Sequence, residues 1–154
     1  MKEDIGFQSR GEVLSATVAT PDKPINRALL RISGGYNAGY KPAEWQDQLL
    51  GRGIASFTFD FTGVGGSSGE LSSTNLETRL ADARSALEYF RERLSEDTPI
   101  HVLGVSMGAP IAIWLAGEVE PAGLILAVAA AYPRGSHDKD FGEPFSTAIR
   151  GEGL

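Results

Sequence analysis

The sequence predicts an α/β fold: a mostly parallel sheet with helices on both faces and an antiparallel hairpin at its N-terminal side. Three observations carry that expectation. Short apolar segments of strand character recur along the chain, helical patterns separate them, and glycine or proline punctuates the junctions.

Glu12 to Thr20 (EVLSATVAT) alternates loosely and reads as a strand of the opening hairpin, closed by the turn residues Pro21-Asp22-Lys23-Pro24. Ala28 to Ile32 (ALLRI) is a short apolar strand that runs into Ser33-Gly34-Gly35. Pro42 opens a helix through Ala43 to Leu50, a position where its missing N–H would be unpaired anyway. Gly51 and Gly53 stop that helix. Ile54 to Phe61 (IASFTFDF) reads as a strand with Phe57, Phe59 and Phe61 on one face, and Gly63 to Gly69 as a loop.

The next helix, expected over 74–94, is the best defined. Leu76, Leu80, Ala83, Leu87, Phe90 and Leu94 recur at helical spacing, and Thr74 with Glu77 match a capping box at its start. After Pro99, Ile100 to Ser106 reads as a strand and Met107 to Val119 as a buried helix with Pro110 in its first turn. Gly123 to Ala130 is apolar without alternation, the pattern of a strand covered on both faces. From Tyr132 onward glycine, proline and mixed charge prevail.

Composition narrows the partners. The net charge of −6, with no Lys/Arg cluster, argues against nucleic acid. The chain has no cysteine, which excludes disulfides and thiolate metal sites and fits a reducing compartment. MKEDIGFQSRGE has no apolar leader core, and no apolar run approaches a membrane span. The expectation is a soluble, cytoplasmic protein that uses no cofactor and no metal.

Gly104-Val105-Ser106-Met107-Gly108 falls between a strand and a helix. At such a junction a serine is forced into a strained backbone conformation that side chains at the flanking positions would obstruct, and its hydroxyl stands clear of the sheet. Ser106 is therefore the candidate nucleophile. The Met107 N–H at the helix start is one candidate oxyanion donor, and the N–H of Gly35 or Tyr36 is the second. A purely structural account is that the glycines only let strand and helix pack closely.

At these residues the chain resembles the α/β-hydrolase family. Ser33-Gly34-Gly35 is similar to that family's His-Gly oxyanion loop, with serine in place of the usual histidine. Phe59-Asp60-Phe61-Thr62-Gly63-Val64-Gly65-Gly66-Ser67 is similar to its Asp-x-x-Gly-x-Gly-x-Ser turn, and residues 104–108 to its nucleophile motif. The likeness spans about residues 12 to 131. It implies hydrolysis of a small-molecule ester, thioester or amide through a Ser106 acyl-enzyme. It also implies that Asp60 holds its turn and is not catalytic.

The resemblance further implies an acid and a histidine, in that order, after later strands. Only two histidines occur. His101 precedes Ser106 by five residues, roughly 16 Å along a strand and at the wrong end of the sheet. His137, beside Asp138 and Asp140, lies on the correct side and could serve a rewired triad, although residues 136–140 look like the start of the family's lid. The simpler expectation is that residues 1–131 are the N-terminal part of a hydrolase core lacking its C-terminal strands, and 132–154 the beginning of a lid or cap. Residues 123–130 would then form an exposed edge open to self-association.

The residues offer two other readings. Gly63 to Gly69 invites a nucleotide reading, but Ser68 stands where Gly-x-Gly-x-x-Gly needs glycine, and no phosphate-loop lysine follows. A non-catalytic binding or interaction module on the same fold is the alternative to an enzyme.

Overall fold

The computed structural model describes residues 1–34 and 43–127. Six strands and three α-helices follow one another as β1 (Lys2–Ser9), β2 (Glu12–Ala19), β3 (Arg27–Ile32), α1 (Ala43–Gly51), β4 (Ile54–Phe59), α2 (Leu76–Arg91), β5 (Ile100–Val105), α3 (Gly108–Val119) and β6 (Gly123–Ala127). They form one six-stranded sheet in the order β1-β2-β4-β3-β5-β6. β1 and β2 are an antiparallel hairpin, β2 pairs antiparallel with β4, and the β4-β3-β5-β6 half is parallel. The hairpin turns through Arg10 (φ 49) and Gly11 (φ 86). Two successive left-handed residues match the right-handed twist of the strands they join.

Chain direction explains where the helices lie. From β3 the chain moves to one side to reach β4, whereas from β5 it moves to the other side to reach β6. Right-handed crossovers in opposite directions put their helices on opposite faces. Accordingly α1 packs against β4 on one face, and α2 and α3 pack together on the other.

The α2 face holds the core. Phe57 and Phe90 are fully buried with ring centroids 5.3 Å apart, and Phe7 meets Phe57 edge-on at 5.7 Å. Phe59 and Phe61 continue the stack at 5.0 Å. From the expected stripe on α2, Leu76, Leu80, Ala83, Leu87 and Phe90 are buried, and Leu94 packs against them just beyond the helix. Arg84 on α2 makes a two-pronged ion pair with Glu118 on α3. That hydrogen-bonded pairing holds the Glu118 carboxyl below the usual carboxylate range and raises the Arg84 guanidinium.

One buried carboxylate ties three segments together. Asp82, fully buried on α2, accepts hydrogen bonds from Ser9 Oγ at 2.7 Å, Thr62 Oγ1 at 2.8 Å and the Thr62 N–H at 3.0 Å. Arg10 Nε lies 3.5 Å away. A charge without water needs this many partners to remain in the core. The end of β1, the segment after β4 and the middle of α2 are joined through it.

Four expectations need correction. The capping box at α2 uses Asn75 and Thr78 in place of Thr74 and Glu77, because the Thr74 hydroxyl donates to the Leu71 carbonyl instead. The strand expected over 54–61 ends at Phe59, where the Asp60 turn begins. The helix expected from Met107 begins at Gly108, with Met107 as its N-cap. Finally, β6 is not covered on both faces: Leu124, Ile125 and Leu126 are 40%, 48% and 42% exposed.

Candidate active site

The parallel half of the sheet reverses its direction of growth between β3 and β5. The carboxyl ends of those two strands are a topological switch point, the place where open α/β sheets bind ligands. Ser33 and Gly34 leave β3 there, and Ser106 leaves β5 there.

Ser106 has φ 52, left-handed for a side-chain-bearing residue. Such a conformation costs on the order of 1–3 kcal/mol and persists only where neighbours over-determine it. Two backbone hydrogen bonds do so: the Ser106 N–H donates to the Ala127 carbonyl of β6 at 3.0 Å, and the Ala109 N–H of α3 donates to the Ser106 carbonyl at 3.0 Å. Ser106 is half-buried.

Three glycines make that geometry possible by allowing backbone to touch backbone. A Cβ on Gly104 would lie 2.6 Å from Ala112 Cβ and 2.8 Å from Ala109 Cα, so α3 could not cross β5. One on Gly108 would lie 2.3 Å from the Ile32 carbonyl oxygen at the end of β3. One on Gly34 would lie 2.3 Å from the Met107 nitrogen and 2.6 Å from the Val105 oxygen. The segment after β3 is thus seated directly on the turn that carries Ser106. Gly35 and Tyr36, the expected second donors, lie outside the described residues, as do His137, Asp138 and Asp140.

The remaining sequence candidates are placed as follows. Asp60 accepts the Gly66 N–H at 3.1 Å with its carboxylate, while its carbonyl accepts Ser67 Oγ at 2.6 Å. The Ser67 hydroxyl also accepts the Ser15 N–H at 2.9 Å, which braces the turn against β2. Asp60 is therefore occupied in holding its own turn. His101 sits near the start of β5, paired in register with Leu29 and Gly123, with its ring over Gly123. Sequence reasoning named Gly34 only as part of the Ser33-Gly34-Gly35 loop and did not single out Asp82. A Gly-Gly pair at a strand end signals close backbone approach, but it does not say which glycine makes the contact.

Among the described residues, no group of three His, Cys, Asp or Glu side chains could hold a metal ion. No helix among them is long and apolar enough to cross a membrane.

Comparison with known proteins agrees with this layout. Two uncharacterized proteins from strains of Mycobacterium tuberculosis are 38% identical over 93 residues, covering 58% of this chain and 32% of theirs. The chain thus spans about a third of the length of these curated relatives. A thermostable carboxyl esterase from Bacillus coagulans superposes with TM-score 0.70 at 20% identity, over 81% of this chain and 43% of its own. A lidless α/β serine hydrolase from Xanthomonas campestris does so with TM-score 0.71 at 19% identity, over 88% and 65%. At such identities these structures establish the fold. The model of the serine aminopeptidase S33 family matches residues 23–148, most of the sequence, and with a strand-to-helix serine at the sheet's switch point the chain belongs to that family of α/β hydrolases.

Proposed function

We propose that Ser106 is the nucleophile of a hydrolase acting on a small-molecule ester, thioester or amide. The single observation that carries this is the left-handed backbone of Ser106 at the switch point. Strain of that kind at a strand-to-helix turn has no packing benefit of its own, since a glycine would adopt it freely.

In the proposed reaction Ser106 Oγ attacks the acyl carbon and its proton passes to a general base. The bond to the leaving group breaks, and the leaving group takes up the proton. Water then cleaves the acyl-enzyme, returning the serine and releasing the acid. The Met107 N–H, with that of Gly35 or Tyr36, would lie about 3 Å from the developing oxyanion. By family order the acid and histidine follow the serine on later strands; His137 with Asp138 or Asp140 is the second assignment.

An activated fluorophosphonate tests the reading in the protein as its gene encodes it. Attack forms an Oγ–P bond and expels fluoride. Adduct mass on the peptide carrying Ser106, absent in Ser106→Ala, is the expected result. No adduct on wild-type protein that folds would favour a non-catalytic binding module. Retained labelling in His137→Ala supports the family-order base, and loss of it the rewired triad.

Two further assignments belong to the same reading. The cytoplasm is the compartment proposed, on the cysteine-free sequence. The half-exposed Leu124, Ile125 and Leu126 of β6 support self-association through that strand. A concentration-independent monomer in sedimentation velocity would exclude it.

A further inference from the structure

We infer that β6 pairs with the β6 of a second copy of this chain, antiparallel and about a two-fold axis through Ile125. The inference rests on the self-association proposed above and deepens it by fixing the register and the faces. Backbone groups of successive strand residues point to alternate sides. The Ala127 carbonyl accepts the Ser106 N–H, so Ala127 and Ile125 face β5, and the amides and carbonyls of Leu124 and Leu126 face outward. Among the described residues β6 is the outer strand on that side of the sheet.

The segment carries none of the usual protection of an edge. From Ala122 to Ala131 it has no charged residue and no proline, the devices that keep edge strands from pairing. β1, the opposite edge, opens with Lys2, Glu3 and Asp4. The order Leu124-Ile125-Leu126 also reads the same in both directions. Antiparallel pairing about Ile125 sets Leu124 against the second copy's Leu126, as a pair that exchanges two hydrogen bonds. Ile125 then meets its own copy as the closer pair between them. A two-fold interface needs such self-complementarity, and an uncharged strand brings no like charges together.

Side chains extend the match. Gly104 faces α3, where a Cβ would meet Ala112, and Leu126 pairs in register with Gly104 as Leu124 does with Val102. Leu124 and Leu126 therefore share the α3 face of the sheet, both exposed. Glu118 ties one flank of α3 to Arg84 of α2. Ile113, five residues earlier and so about 140° round the helix, lies on the other flank and is exposed too. An interface of three paired residues is small, so the association is reversible and grows with concentration.

The test uses the full protein, in which a single introduced cysteine reports one position because the chain has none of its own. Diamide is the oxidant, and sedimentation velocity and thermal unfolding run in parallel. Ile125→Cys should form a disulfide dimer, since its Cα would lie about 4.5 Å from that of its copy, within the range a disulfide spans. Leu124→Cys and Leu126→Cys would each lie about 8 Å from their own copies and should cross-link at least about tenfold more slowly. Adding Leu126→Lys to Ile125→Cys should slow cross-linking by about tenfold or more. If that double variant does not fold, the ranking of the three cysteine positions decides. A dimer in which Leu124→Cys or Leu126→Cys cross-links as fast as Ile125→Cys, or in which no position cross-links, would overturn this pairing and leave self-association standing. A monomer at every concentration would overturn both.

Discussion

The two ends of this molecule are held together by different means. At the hairpin end, β1, β4 and α2 are joined by interlocking aromatic side chains, and the buried Asp82 carboxylate ties the end of β1 and the segment after β4 to α2. At the Ser106 end, β3, β5, β6 and α3 meet through bare backbone, with Gly34, Gly104 and Gly108 leaving no room for a methyl group. Side chains supply apolar burial and tolerate small rearrangements. Backbone contact contributes less burial, but it fixes peptide groups to within a fraction of an ångström. The first arrangement suits stability, the second the placement of a strained serine.

The largest effects should appear at the hairpin end. Phe57→Ala empties a fully buried aromatic site, and Asp82→Ala leaves the Ser9 hydroxyl and the Thr62 N–H without their acceptor. Each is expected to lower unfolding free energy by about 3–5 kcal/mol in urea titration. Fluorophosphonate labelling of whatever fraction remains folded should be unchanged. A labelling defect beyond the unfolded fraction would erase the distinction between the two ends.

Gly108→Ala should be intermediate in stability, about 1–3 kcal/mol, since a Cβ would have to displace the Ile32 carbonyl. Here labelling at Ser106 should fall more than the loss of folded protein accounts for. A stable Gly108→Ala variant with normal labelling would show that the close contact is incidental.

Ser106 gives a sharper comparison. Ser106→Gly relieves the left-handed backbone and Ser106→Ala does not, so the glycine variant should be the more stable by about 1 kcal/mol. Equal melting temperatures would mean that the turn carries no strain.

The smallest effect is expected at the Arg84–Glu118 pair joining α2 to α3. Its folded-state carboxyl is lowered by the Arg84 hydrogen bond, so its contribution is present above the ordinary carboxylate range and is lost as pH falls through the folded value. With the Glu118 side chain 39% exposed, solvent screening holds the effect to about 0.5 kcal/mol. Glu118→Gln should therefore differ from wild type near pH 7 and converge with it in acid. Convergence at high pH would reverse the assigned sign.

What was legible in the sequence follows the range of the interactions. The α2 stripe repeats over several turns and could be read directly; its cap could not, because Thr74 and Asn75 are both competent and a local bond to Leu71 decides between them. The junction carrying Ser106 was legible from glycine spacing, and the family match agrees with the fold it implied. Asp82 was not, since its partner Ser9 lies 73 residues away in the chain. Nor was the seating of Gly34 on Met107, which depends on how two loops meet. For β6 the apolar composition is that of a strand covered on both faces, whereas the exposed edge expected for residues 123–130 agrees with three of its five residues being exposed.

That edge strand has one consequence for the serine. The Ser106 amide hydrogen is bonded to Ala127, the last described residue of β6. Any opening of the sheet from its outer side must break this bond before it reaches β3. The amide is thus a built-in gauge of edge integrity, and its deuterium uptake should track fraying of β6. A molecule that seals the edge would quiet the Ser106 backbone from a distance.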